Sequence, residues 1–249
     1  MNLNLPKVYI DKSWGLFIGQ FSDNNMHRHY AIQMSLVLEG YIDLRIAEEI
    51  GMHRYRSCVI SSNTPHRLCS KEINLIILIN PASRVGHHLA ERCSTSKIVT
   101  LDDRLVPLFS LFESYLNKSL TFPIFITKVA EIFNTFTCEC EQENHFKDDR
   151  IYRAIQHLEN NFERIIPIEE VAEVCHLSST RFLHLFKEKT GINYRRYQLW
   201  NRLVKSLPYL GNNTITQTAH QFGFTDSAHY NRTFKETFGL SPKILKSLK

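Results

Sequence analysis

IEEVAEVCHLSSTRFLHLFKEKTG, residues 168–191, recurs in altered form as ITQTAHQFGFTDSAHYNRTFKETFG, residues 215–239. Ala172 corresponds to Ala219, and the triplet FKE at 186–188 recurs at 234–236. Self-similarity over such a length indicates a duplicated structural unit. The rest of the chain is therefore interpreted outward from this pair of repeats.

Each copy has the pattern of a helix, a tight turn and a second helix. In the first copy, residues 168–175 and 179–189 are the predicted helices and 176–178 the turn, whereas Gly223 supplies the turn of the second copy. Candidate N-caps of the second helices are Ser178 or Ser179 in the first copy and Thr225 or Asp226 in the second copy. This is a helix-turn-helix pattern, whose second helix fits the DNA major groove.

The segment between the copies, residues 193–207, is predicted as a linking helix. Four basic residues are expected on its outside, namely Arg195, Arg196, Arg202 and Lys205. At about 1.5 Å per residue the helix is roughly 22 Å long. With the offset of each recognition helix, the two copies approach the spacing of one DNA turn, about 34 Å.

Positive charge is concentrated in the same part of the chain. From residue 175 onward there are 12 Lys+Arg against 3 Asp+Glu, whereas residues 1–147 contain 15 of each. A basic segment of this kind indicates a polyanionic partner.

The stretch GFTDSAHYNRTFKETFGLSPKIL, residues 223–245, is similar to the signature of the AraC/XylS-type transcriptional regulators. That signature runs from glycine–aromatic through a recognition helix to F-K-x-x-x-G-x-[ST]-P. The resemblance covers roughly residues 150–249 and implies a sequence-specific regulator whose partner is a double-stranded DNA operator. Carried over by position, it implies groove-facing residues at Thr180, Arg181, His184, Ser227, Ala228, Asn231 and Arg232. Phosphate contacts are expected from Lys187, Arg195, Arg196 and Lys235.

Two residues depart from the family pattern. Pro208 falls near the end of the linking helix and is expected to end that helix early. Leu183 stands in the first recognition helix where many family members have a polar residue.

Residues 1–80 predict a β domain, because short apolar or alternating runs are separated by turn-forming or charged residues. The period then changes: residues 102–119 and 122–142 place apolar residues at helical spacing. One predicted stripe comprises Leu105, Leu108, Phe109, Phe112 and Leu116, and the other comprises Ile126, Val129, Ile132, Phe133 and Phe136. The stripes fit either a core or a homodimer interface through the helices of 102–142.

The stretch HRHYAIQ, residues 27–33, resembles the first cupin motif, which is H-x-H, three or four residues, Glu, six residues and Gly. Here Gln33 replaces the glutamate, and Gly40 follows at the expected spacing. His66, after Pro65, is expected on a neighbouring strand. The resemblance implies a cupin-like barrel in which His27, His29, Gln33 and His66 bind Zn, Fe, Ni or Cu. Two alternatives are a polar lining for an organic effector and a purely structural cluster.

The resulting fold class is α+β multidomain: an N-terminal cupin-like β-barrel with dimerisation helices, then an all-α double helix-turn-helix domain. The predicted domains are 1–100 for the sensor, 101–147 for the helical dimerisation segment and 148–249 for DNA binding. The two helix-turn-helix units span about 168–190 and 215–238. The predicted function is a DNA-binding regulator, not an enzyme, gated by a small effector or a metal ion. The alternatives are a dioxygenase-like cupin enzyme with a DNA-binding tail, and a cupin used only for dimerisation.

Cellular location is inferred from what the sequence lacks. No run of about 18 apolar residues or basic–apolar leader occurs, so a cytoplasmic protein without a membrane partner is expected. The six cysteines contain no CxxC pair and are expected to be reduced thiols.

Overall fold

A computed structural model describes residues 7–21, 24–47, 50–136 and 145–243 of the chain. The described residues fall into two compact units, one within 7–136 and the other within 145–243. No helix within the described ranges is both long and apolar enough to cross a membrane.

The N-terminal unit is built on antiparallel β-strands. They are β1 (Lys7–Ile10), β2 (Trp14–Phe21), β3 (Ile32–Val37), β4 (Ile42–Ile46), β5 (His53–Tyr55), β6 (Ser57–Ile60), β7 (His66–Ile79) and β8 (Ile98–Val99). Hydrogen bonding follows the order β1-β2-β7-β3-β6-β8, and β4 pairs with both β7 and β5. The long strand β7 therefore organises the unit: its second half pairs with β2 and β3, and its first half pairs with β4.

The closed cupin-like barrel that the sequence predicted is not confirmed. Among the described residues the strand path is open, because β1 pairs with β2 and the two-residue β8 pairs with β6, and these two ends are not joined. The coarser expectation, a β-rich N-terminal unit followed by a helical one, is confirmed. The short strands β5 and β8 were missed because each has too few residues to show an alternating pattern.

Helices cover one face of this sheet and complete its core. They are α1 (Arg84–Arg92), a short 3-10 helix (Asp103–Leu105), α2 (Pro107–Leu116) and α3 (Phe122–Asn134). All the residues of the two predicted apolar stripes lie in or against a core that also contains Leu16, Met34 and Ile77 of the sheet. The apolar stripes are thus buried within one chain. Two apolar residues of the same segment, Val106 and Ile124, are about half exposed. Helix α3 ends at Asn134, short of the predicted end, and the remainder of that prediction lies largely outside the described residues.

The C-terminal unit is helical over its described residues. Its helices are α4 (Asp149–Asn160), α5 (Ile168–Val174), α6 (Ser179–Thr190), α7 (Tyr194–Leu210), α8 (Ile215–Gln221) and α9 (Ser227–Phe238). The expectation that Pro208 ends the linking helix early is wrong, because α7 continues to Leu210. Pro208 lies on the exposed side of α7, where water can hydrogen-bond the carbonyl that lacks a helical donor.

The four described cysteines, Cys58, Cys69, Cys93 and Cys175, are free thiols. Burial raises the pKa of Cys58 to about 12, which keeps this thiol protonated and unreactive. Cys138 and Cys140 lie outside the described residues.

Candidate DNA interface and candidate metal centre

The sequence repeat is a structural duplication. Helices α5 and α8 have seven residues each, and α6 and α9 have twelve residues each. The side chain of Ser178 caps α6, and that of Asp226 caps α9 by accepting a hydrogen bond from the His229 amide at 2.7 Å. Both recognition helices end at a left-handed glycine, Gly191 or Gly239. Matching caps at both ends fix the two helices to the same length and register.

The turns of the two units also correspond, although different residues form them. Gly223 has a φ of 69°, and His176 occupies the equivalent position with a φ of 53°. Histidine tolerates this left-handed conformation better than most side chains do. A Cβ atom on Gly223 would lie 3.1 Å from both the Arg202 guanidinium and the Glu163 carbonyl oxygen, so any larger residue in the second turn would press against these two groups as well as adopt a left-handed backbone.

Aromatic residues hold each recognition helix on its unit. Phe182 and Phe186 of α6 pack edge-to-face against Tyr194 of α7. In the second unit, Tyr230 is fully buried, and its hydroxyl lies 2.7 Å from the Ser206 hydroxyl. Because these contacts occupy one face of each recognition helix, the opposite face is left to solvent.

The predicted DNA contacts on α6 and α9 lie on that solvent face or at its edge, and Arg195 and Arg196 lie on α7. The exposed ones are Thr180, Arg181, His184, Lys187, Arg195, Arg196, Ala228, Arg232 and Lys235. Ser227 and Asn231 are partly buried, and the Asn231 amide donates to the Ser227 carbonyl oxygen at 2.7 Å. All of them are therefore at least partly accessible to solvent on the C-terminal unit, and their contact with DNA stays a prediction.

Arg202 is not on the outside of the linking helix, contrary to the prediction. It is 4% exposed, and its Nη1 donates to the Gly223 carbonyl oxygen at 2.5 Å while the guanidinium lies 5.1 Å from the Phe224 ring centroid. Burial lowers the pKa of Arg202. Arg202 supports the second turn instead of facing DNA. The sequence carries no clear signal of this burial, because Gln198 and Ser206, four residues to either side on the same face, are polar as well and are buried only in the folded unit.

In the N-terminal unit, the structure brings His27, His29, Gln33 and His66 together. The backbones of His27 and His66 form an isolated bridge with two hydrogen bonds of 2.9 Å. His27 and His29 precede strand β3 rather than lying on a continuous strand, and a bend at residues 30–31 separates them from it. The four side chains nevertheless converge, each no more than 6% exposed. One ring nitrogen from each histidine lies within 4.8 Å of the other two.

Backbone carbonyls determine which nitrogen of each imidazole carries the proton. The Nδ1 atoms of His27, His29 and His66 lie 2.8 to 2.9 Å from the carbonyl oxygens of three residues, respectively Asn25, Ala31 and Thr64. Each Nδ1 must donate there, so each neutral ring presents the lone pair of Nε2. Burial is the main cause that lowers all three pKa values, that of His27 to about 4. Imidazoles that donate Nδ1–H to a backbone carbonyl and leave the Nε2 lone pair available are typical of metal-ligating histidines.

Gln33 completes the cluster. Its Oε1 lies 3.1 Å from His29 Nε2 and 3.2 Å from His66 Nε2, and its Nε2 donates to Ser35 Oγ at 3.0 Å. In this orientation the amide oxygen faces two lone pairs, which is unfavourable unless a cation lies among them. If the amide were flipped, so that its oxygen and nitrogen exchanged places, its NH₂ group would instead donate to both imidazoles and its oxygen would accept from Ser35. Glutamine thus permits two satisfied states, one with a cation and one without.

The buried imidazoles predict acid destabilisation of the metal-free N-terminal unit. In the unfolded chain His27 has its ordinary pKa of about 6.5, whereas in the folded chain burial lowers this pKa to about 4. As the pH falls from 6.5 to 4, the unfolded chain therefore takes up a proton at His27 that the folded chain does not, and this favours unfolding. Between pH 7 and pH 5 the free energy of unfolding should therefore fall by about 2 kcal/mol from His27 alone. His29 and His66 shift in the same direction and add to the loss.

Urea unfolding in the presence of a chelator measures this effect. The chain has two tryptophans, so in a Trp200→Phe background the fluorescence of Trp14 reports on the N-terminal unit alone. The matched His27→Gln variant should lose about 2 kcal/mol less between the two pH values. Equal losses in the two proteins would contradict the assignment.

Comparisons with known proteins match both units. A helix-turn-helix domain family model matches residues 171–247. The HTH-type transcriptional activator RhaS of Yersinia pestis is 31% identical over 103 residues, which are 41% of this chain and 38% of RhaS. The probable transcriptional regulator LumQ of Photobacterium leiognathi is 23% identical over 225 residues, which cover 87% of this chain and 89% of LumQ.

Solved structures of ToxT from Vibrio cholerae share the fold. One has a TM-score of 0.62 at 13% identity and covers 96% of this chain and 99% of ToxT. The named sequence relatives are regulators, in agreement with the prediction of a non-enzyme. The duplicated helix-turn-helix units, their signature and these matches together support the resemblance of the chain to the AraC/XylS-type transcriptional regulators, with an N-terminal domain and a C-terminal helix-turn-helix domain.

Proposed function

We propose that this regulator reads its operator through two successive major grooves, one for each helix-turn-helix unit. The observation that carries the proposal is the duplication of a capped recognition helix whose solvent face is polar or basic. Helix α7 links the two units with 17 residues, about 25 Å at 1.5 Å per residue. That length is compatible with recognition helices one DNA turn apart.

Each predicted contact has a chemical role in this proposal. Arg232 donates two hydrogen bonds to guanine, and Thr180, Arg181, His184, Ser227, Ala228 and Asn231 face base edges. Lys187, Arg195, Arg196 and Lys235 bind phosphates and thereby fix the position of the domain on the duplex.

Operator selection followed by hydroxyl-radical footprinting tests the proposal. The full chain is used to select binding sequences from random duplexes, and the selected operator is footprinted. Two protected patches on one face of the duplex, about one helical turn apart, are expected for each bound chain. One patch per chain would contradict the two-groove arrangement, and failure to select any sequence would contradict specific binding.

In the N-terminal unit we propose a sensor. His27, His29 and His66 would hold one divalent transition metal through Nε2, with Gln33 supplying an oxygen; the three-nitrogen, one-oxygen set suits Zn, Fe, Ni or Cu. The convergence of three neutral, carbonyl-oriented imidazoles supports this reading. The metal would supply a net positive charge in a buried site, and no catalytic step is assigned to it.

A small organic effector is the second candidate for this sensor. ToxT, whose fold is similar, has been solved with a bound unsaturated fatty acid and with a naphthalenyl butenoic acid. In this reading the imidazole Nε2 atoms and the Gln33 amide would hydrogen-bond the polar end of an effector bound within the N-terminal unit. Purified protein that contains a metal and is not stabilised against urea by organic acids would favour the first candidate. Metal-free protein that organic acids stabilise against urea would favour the second.

We further propose that residues 1–100 form the sensor, 101–147 the dimerisation segment and 148–249 the DNA-binding domain. The chain would form a homodimer through the helices of 102–142, for which the exposed Val106 and Ile124 are the candidate contacts. Sizing the operator complex by light scattering during the footprinting experiment counts the chains. One chain per complex at micromolar protein would contradict the dimer.

A further inference from the structure

The solvent face of the first recognition helix carries one large apolar side chain. Leu183 is 42% exposed, whereas Leu185, two residues further along α6, is 4% exposed and belongs to the core. On a helix, Leu183 shares a face with Thr180, three residues before it, and with Lys187, four residues after it. Both neighbours are exposed, and both are among the predicted DNA contacts.

The duplication shows which position Leu183 occupies. Helices α6 and α9 have the same length and equivalent caps at both ends, so they align from first residue to last. Leu183 and Asn231 are each the fifth residue of their helix, and His184 and Arg232 are each the sixth. Asn231 and Arg232 are predicted groove-facing residues of the second unit. By this equivalence, Leu183 occupies in the first unit the helix position that the predicted groove-facing residue Asn231 occupies in the second.

We propose that Leu183 reads a thymine in the first half-site by contact with the thymine 5-methyl group. This inference rests on the proposed binding of DNA through two grooves. Leucine has no side-chain donor or acceptor, so it cannot recognise the polar edge of a base. Thymine is the base that presents a methyl group in the major groove, and apolar side chains read it by excluding water from that methyl. The first unit would thus discriminate by shape where the second uses hydrogen bonds.

Replacing single thymines of the selected operator with deoxyuridine tests the contact, because this change removes only the methyl group. The wild-type chain should bind about 3- to 5-fold more weakly when one particular thymine of the first half-site is replaced. Leu183→Ala should bind the unmodified operator more weakly by a similar factor and show no further loss with uracil at that position. Leu183→Asn should change the preference there from thymine toward adenine.

Ile165 provides the matched control. It is an exposed apolar residue of the same unit outside the recognition helices. Ile165→Ala should keep the full uracil sensitivity of the wild type. If Leu183→Ala keeps that sensitivity as well, or if uracil weakens the wild type at no position, the thymine contact is overturned while DNA binding stands. A chain that selects no operator overturns both.

Discussion

Arg232→Ala should weaken binding to the selected operator by about 5- to 150-fold, equivalent to about 1–3 kcal/mol. Arg232 is exposed on α9, the recognition helix whose capped start and glycine end fix its register. A guanidinium can donate in parallel to O6 and N7 of guanine, and no other side chain reproduces that fork. Fluorescence anisotropy titration at fixed salt measures the loss.

Two variants separate base reading by Arg232 from simple charge. Arg232→Lys keeps the positive charge but loses the fork, so it should relax the preference for guanine at one position. Lys235→Ala should weaken binding to all sequences alike. It should also reduce the magnitude of the slope of log affinity against log salt concentration by about one, as expected for the loss of one phosphate contact. A uniform loss across sequences for Arg232→Ala would assign that residue to a phosphate, and unchanged affinity would remove it from the interface.

The second large effect is expected at the histidine cluster. Protein purified without a histidine tag should contain about one transition-metal ion per chain, and the double variant His27→Ala/His29→Ala should contain almost none. Removing two of three imidazoles leaves a site with too few ligands to hold a divalent ion. Elemental analysis measures the metal content, and His53→Ala, an exposed histidine outside the cluster, is the control.

Gln33→Glu distinguishes the metal site from a hydrogen-bonded cluster. With a metal present, the added negative charge should raise metal affinity and stabilise the N-terminal unit against urea. With a chelator present, the buried carboxylate cannot donate hydrogen bonds to the imidazoles as the NH₂ group of glutamine can. The Gln33→Glu change should therefore destabilise the metal-free unit by about 1–3 kcal/mol. Trp14 fluorescence in the Trp200→Phe background reports both results. Absence of metal from the wild type, with destabilisation under both conditions, would contradict the metal site.

The two units differ in how much of their structure is encoded in local sequence. In the C-terminal unit the helices, turns and caps followed from signals within a few residues, such as Asp226 before α9 and Gly239 after it. The burial of Arg202 is an exception, because it shares a helical face with Gln198 and Ser206, polar residues that are buried only through contacts made in the folded unit. In the N-terminal unit, individual strands were found, but whether their sheet closes depends on pairings between distant segments, which no local pattern encodes.

The sequence by itself determined the double helix-turn-helix unit, because its helical period, its caps and the repeat of one segment in the other can all be read along the chain. It also named the three histidines and Gln33 through a motif. Only the tertiary structure decided that Gln33 meets His66, from a distant part of the chain, and that each Nδ1 faces a backbone carbonyl. The physical reason is that ligand geometry and tautomer are set by burial and by backbone groups brought together in folding, whereas helix caps and helical periods act within one or two turns.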